Sequence, residues 1–185
     1  MTDPSPSGAT SVSEQRVVGV VIERRRLDNP WVDHDWHAVQ VLVGTPDSPP
    51  GTPLGEDARG TRFYAGSADL TLYRRETESY RYNLDSSAPS VFVVLRRTLD
   101  EREVELHAAT VCAAEAHAHA EAGDDIVDAV AMPDEIRDWL AAYVDANPPP
   151  RPPAKRRRER ADPEALAMRP RLYESDPLRQ MPEDE

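Results

Sequence analysis

The stretch Pro133-Asp134-Glu135-Ile136-Arg137-Asp138-Trp139-Leu140-Ala141-Ala142-Tyr143-Val144 is the clearest element in the chain. Proline suits the first helical position, Asp134 and Glu135 complement the positive end of the helix dipole, and the apolar residues recur at i, i+3, i+4, i+7 and i+8. Such a stripe needs an apolar face to cover. Upstream lie the runs that supply one. Val17-Val18-Gly19-Val20-Val21-Ile22 is β-branched and of strand length, bounded by Asp28-Asn29-Pro30. Trp36 to Val43 alternates, with Val39, Val41 and Val43 on one face. Phe63 to Tyr73 ends in Leu70-Thr71-Leu72-Tyr73. After the polar break Arg74 to Thr77, the segment Glu78 to Leu84 alternates Tyr80, Tyr82 and Leu84 with Ser79, Arg81 and Asn83, which predicts a hairpin partner. Val91-Phe92-Val93-Val94-Leu95 is apolar on both faces, hence a central strand. Val104 to Thr110 alternates again. The sequence therefore predicts an α+β domain: an antiparallel β-meander of about six strands, followed by two helices packed on it. The first of those helices is the Ala-rich Ala113 to Ala122, stopped at Gly123.

Charge and proline divide the 185 residues. Residues 1–150 hold 13 Arg and no Lys against 26 acids, net −13, whereas residues 151–185 hold nine Lys and Arg against eight acids, net +1. Residues 1–14, rich in Ser, Pro and Thr, read as a disordered N-terminal segment. Residues 15–147 read as the single domain, with a Pro- and Gly-rich loop at 44–60 that stays out of the core. Residues 148–185 read as a Pro-rich, extended linker, a basic patch of Lys155, Arg156, Arg157, Arg158 and Arg160, and a mixed-charge disordered tail. No run of about 18 apolar residues occurs, which predicts no membrane span. Met1 to Ser13 carries neither positive charge nor apolar stretch, unlike a secretory leader, so the expected location is cytoplasmic.

Composition excludes several chemistries. One cysteine, Cys112, makes neither a disulfide framework nor a structural zinc or iron–sulfur site. No Walker-type loop, Gly-x-Gly-x-x-Gly turn, Gly-x-Ser-x-Gly elbow or His-Glu-x-x-His occurs. A domain at −13 repels phosphate, so no specific nucleic acid is expected. A four-histidine metal site of His34, His37, His117 and His119 meets a geometric objection. Positions two apart on a helix point about 200° from one another, so His117 and His119 pair instead with Glu121 and Glu115 at i,i+4. No metal and no cofactor is expected. Cys112, at a strand-to-helix junction, reads as a small buried residue, with nucleophilic use as the alternative. Asp28-Asn29-Pro30-Trp31 followed by Trp36, beside Arg24-Arg25-Arg26, differs in kind, because tryptophan and arginine are the residues that dominate interfaces.

These residues also carry a resemblance. Ile22-Glu23-Arg24-Arg25, Asp28-Asn29-Pro30-Trp31, Trp36 and Val39-x-Val41-Leu42 resemble the opening of a proteobacterial family catalogued as a domain of unknown function. Its genes often neighbour those of molybdenum-dependent formate dehydrogenase and its maturation proteins. The similarity continues through Leu72 to Leu84, Pro89 to Arg96, Ile126 to Pro133, the Trp139 helix and Lys155-Arg156-Arg157-Arg158, about Val17 to Arg160 in all. The 44–60 loop and the Ala-His-Ala-His helix look atypical of it. Some relatives carry a label for molybdopterin-guanine dinucleotide synthesis, but this chain has no glycine-rich nucleotidyltransferase loop.

The resemblance implies a non-catalytic accessory protein, acting in assembly, maturation or regulation of a molybdenum-dependent formate dehydrogenase by protein binding. The expected partner is a formate dehydrogenase subunit or one of its maturation factors. The expected contact residues are Arg24, Arg25, Asp28, Asn29, Pro30, Trp31 and Trp36, with Tyr80, Arg81, Tyr82 and Asn83. Two alternatives stand beside this reading: a structural subunit retained in the mature oxidoreductase, and a small enzyme using Cys112 or a His-based metal site.

Overall fold

The computed structural model describes residues 13–99, 103–121 and 123–148. The chain runs β1 (Ser13–Arg26), β2 (His34–Val43), β3 (Pro53–Glu56), β4 (Gly60–Tyr73), a 3₁₀ turn (Arg74–Glu76), α1 (Thr77–Leu84), β5 (Ser90–Arg97), β6 (Val104–Thr110), α2 (Ala113–Glu121), β7 (Ile126–Ala131) and α3 (Asp134–Ala146). The strands make two antiparallel sheets, ordered β2-β1-β4-β3 and β6-β5-β7. β6 runs alongside β4 and β7 alongside β2, so the sheets meet along two seams without a continuous ladder. The α+β class and the antiparallel pairing are as the sequence predicts, and β5 is indeed the central strand of its sheet.

Burial follows from composition. Val18 to Glu23 in β1 is a continuous buried run, as expected for a strand covered on both faces. Register shifts at Val20 to Ile22, and another at Val94/Leu95, interrupt the ladders, as bulges that locally increase strand twist do. The core joins Val18, Val20 and Ile22 of β1 to Leu70 and Leu72 of β4 and to Val91, Val93 and Leu95 of β5. The stripe of α3 closes it through Ile136, Leu140, Tyr143 and Val144. Trp139, on the flank of that stripe, donates its indole N–H to Glu14 at 2.8 Å and lies under the Arg16 guanidinium. β1 thus includes Ser13, which pairs with Tyr73, slightly ahead of the expected domain start at residue 15.

Three corrections concern the elements. Residues Glu78 to Leu84 are not a strand; they belong to α1. The buried residues are Thr77, Tyr80 and Asn83, a spacing of three, and Tyr80 packs edge-on against Tyr143 of α3 with centroids 6.3 Å apart. Tyr82, the middle of the apparent alternation, is exposed. Ile126–Ala131, assigned to no element from the sequence, is an edge strand. Finally, the strand order is not a sequential meander, because β4 returns to pair with β1. The 44–60 loop does hold the short β3, whose four residues are exposed. Gly123 has φ +133°, the conformation that favours glycine after a helix. Residues 1–12 and 149–185, including the basic patch, lie outside the described residues.

Candidate functional site

The β1–β2 connection presents the most exposed large aromatic side chain among the described residues. Asn29 Oδ1 accepts a hydrogen bond from the Trp31 N–H at 2.9 Å, an Asx turn in which Pro30 fixes its own φ. The Leu27 N–H donates to the Asp33 carbonyl at 2.9 Å and closes the loop at its base. These constraints hold Trp31 out with 89% of its surface in solvent, between the exposed side chains of Leu27 and Val32. The arginines on the approach are committed within the sheet. Arg25 bonds Glu23 at 3.2 Å, Arg26 pairs with Glu56 of β3, and the Arg24 guanidinium sits 5.8 Å from the Phe63 ring centroid.

Beside the base of this loop a carboxylate gathers two aromatic side chains, those of Trp36 and His34. Glu103, at the head of β6, accepts from Trp36 Nε1 at 2.8 Å and stands 2.5 Å from His34 Nε2. Asp33 stands 2.7 Å from His34 Nδ1. Both imidazole nitrogens therefore face carboxylates, the arrangement that an imidazolium satisfies with two N–H donors. The His34 pKa is raised, chiefly by its hydrogen bond to Glu103, and Glu103 is held low by His34 first and Trp36 second. Glu103 has φ +63°, which costs a residue with a Cβ about 1 kcal/mol. The hydrogen bonds from Trp36 and His34 offset that strain. Trp36 also forms one wall of a cavity of about 200 Å³ lined by Ile22, Arg24, Phe63, Val104 and Leu106.

The expected contact residues therefore separate. Arg24, Asp28, Asn29, Pro30 and Trp31 lie at the surface and Arg25 is half-buried. Trp36 is buried, its ring 5.7 Å from that of Phe63. Tyr80 and Asn83 are interior as well, and only Arg81 and Tyr82 of α1 are exposed. The reason is the helical register of α1 and the inward position of Trp36 in β2, alternating with the half-buried His37.

Cys112 is buried between β6 and α2, its thiol 3.3 Å from Ser79 Oγ and 3.6 Å from Glu76 Oε2. His117 pairs with Glu121 at 3.3 Å as the i,i+4 spacing predicts. His119 does not pair with Glu115. It lies 3.6 Å from Asp125 and edge-on to His107, while Glu115 accepts from Thr110 Oγ1 at 2.7 Å. His107 belonged to no expected set, because only the packing of α2 on the second sheet brings it to His119. Among the described residues no helix is long and apolar enough to cross a membrane.

Fold and surface together define an antiparallel two-sheet α+β domain with an exposed aromatic tip on a hydrogen-bonded loop. The model of the family described as "Protein of unknown function (DUF3305)" matches residues 17–158, and the chain belongs to that family. No curated protein and no solved structure matches it.

Proposed function

We propose that this is a cytoplasmic protein that works by binding another protein, as a non-catalytic accessory factor in the assembly, maturation or regulation of a molybdenum-dependent formate dehydrogenase. The observation that carries the binding reading is Trp31. A solvated indole costs little to desolvate and much to lose from an interface, and a loop whose backbone is already fixed gives up little entropy on binding. Leu27 and Val32 extend the apolar contact on either side. The choice of partner rests on the family resemblance set out from the sequence blocks.

Affinity purification from formate-grown cells tests both parts. The intact chain is expected to recover a formate dehydrogenase subunit or maturation factor. Trp31→Ala should reduce that recovery by at least about tenfold, the scale of a hot-spot residue, with the thermal midpoint unchanged. Trp36 is unsuitable for this purpose because its removal empties part of the core. Recovery of no oxidoreductase component overturns the partner, and equal recovery with Trp31→Ala overturns the surface.

A further inference from the structure

On β6, α2 and the segment before β7, three side chains converge that the proposed binding surface does not use. His107 is exposed on β6, His119 is half-buried in the last turn of α2, and Asp125 immediately precedes β7. One ligand atom from each lies within 4.8 Å of the other two. The two imidazole rings stand edge to face at 76° with centroids 5.4 Å apart, and His119 Nδ1 is 3.6 Å from Asp125 Oδ2.

We infer that His107, His119 and Asp125 form a site for a divalent transition-metal ion of the zinc type, with water completing the coordination. Zinc bonds to imidazole and carboxylate are about 2.0–2.2 Å long, which sets donor atoms roughly 3.5 Å apart around one ion. The three donors must therefore draw in by on the order of 1 Å, a change that a rotamer adjustment of the exposed His107 supplies. Two imidazoles and one carboxylate form a borderline donor set that suits zinc and its neighbours in the first transition row. Calcium and magnesium prefer all-oxygen cages.

The surroundings of Asp125 complete the argument. Arg96 donates to both of its oxygens, at 3.0 and 3.1 Å, and its guanidinium holds the carboxyl ionised. Each oxygen keeps a further lone pair, so the arginine orients the ligand from behind, as outer hydrogen-bonding partners of metal carboxylates commonly do. Its positive charge also opposes a cation, so the expected affinity is below that of the same donor set without the arginine. His117 lies outside this set, being turned away on the same helix and paired with Glu121. The ion would tie the end of α2 to β6 and to the entry of β7.

Titration of the full chain with zinc sulfate alone, followed by calorimetry, tests this. One saturable equivalent is expected. His107→Ala and Asp125→Asn should each weaken binding at least about tenfold while His117→Ala leaves it unchanged, all three retaining the far-ultraviolet circular dichroism of the parent. X-ray absorption of the loaded protein should show two imidazole ligands. Absence of saturable binding overturns the site. So does binding that survives His107→Ala and is lost in His117→Ala.

Discussion

Asp128 of β7 accepts a hydrogen bond from the backbone N–H of Ala38 in β2 at 2.8 Å. β2 is an edge strand of its own sheet, and β7 is an edge strand of the other. Where no ladder joins them, a side-chain carboxylate satisfies a backbone donor that would otherwise be buried and unmet. The other carboxylate oxygen lies 3.3 Å from His37 Nδ1. Asp128→Ala is therefore expected to destabilise the domain by about 2 kcal/mol, the cost of an unsatisfied buried donor. Asp128→Asn keeps an acceptor oxygen and should lose less. Denaturant unfolding of both variants checks the order, and an Asp128→Ala midpoint equal to that of the parent would show that the seam does not depend on this bond.

Asn83 staples α1 to the second sheet. Its side-chain amide donates to the Ser90 carbonyl at 2.7 Å and the Val111 carbonyl at 2.9 Å, and its oxygen accepts from the Ser90 N–H at 2.9 Å. Asn83→Ala removes three bonds at a buried position and should cost about 2–3 kcal/mol. A folded Asn83→Ala fraction should still bind the partner with unaltered affinity, because the side chain is not at the surface. A variant of parental stability with impaired partner binding would return Asn83 to the contact surface.

Legibility in the sequence followed the range of the interactions. The α3 stripe, the valine run of β1 and the two-faced apolar β5 were readable because each buries its residues in one unbroken periodic pattern. Thr77 to Leu84 misled because Tyr80, Tyr82 and Leu84 alternate with polar residues, while the buried set includes the polar Thr77 and Asn83. β7 was hidden because Asp128 interrupts a six-residue strand, and the reason for that aspartate lies 90 positions away in β2. The two tryptophans on either side of residue 33 looked equivalent, yet one occupies a turn and the other an inward strand position. The neighbourhood of His107 and His119 was beyond local reading altogether. Twelve positions separate them, and only the crossing of α2 over the sheet closes the gap.

Gly60 begins β4 opposite Arg25 of β1. A Cβ added there would stand 2.1 Å from the Arg24 carbonyl oxygen, a backbone atom that cannot swing aside. Gly60→Ala should therefore push β1 and β4 apart at this end and cost on the order of 2 kcal/mol, as overpacking of a close backbone contact does. Gly51 is a useful contrast. A Cβ there meets nothing within 4 Å, but φ is +90°, so any penalty is conformational. Amide hydrogen exchange should show lost protection in Gly60→Ala at Arg24 to Arg26 and Gly60 to Arg62, and unchanged protection there would rule out the clash.

The His34–Glu103 pair makes the stability pH-dependent in a direction that can be worked out. The folded pKa of His34 lies above its ordinary 6.5, raised first by the Glu103 hydrogen bond, so its contribution is fully present below 6.5 and is lost as pH rises through the folded value. The folded pKa of Glu103 lies below 4.5, so its contribution is present above 4.5 and is lost as pH falls through the folded value. Both contributions are in force together between these limits. The stability difference between the parent and His34→Gln should accordingly be larger at pH 5.5 than at pH 8.5, measured by urea unfolding at each pH. Trp36 reports on the same bond, since its indole N–H donates to the oxygen that His34 faces. Its fluorescence in Trp31→Phe, Trp139→Phe protein should shift as His34 titrates and lose that shift in the added His34→Gln variant. A difference in stability that is flat across this range would mean that the imidazole and Glu103 do not exchange charge-assisted hydrogen bonding in the folded domain.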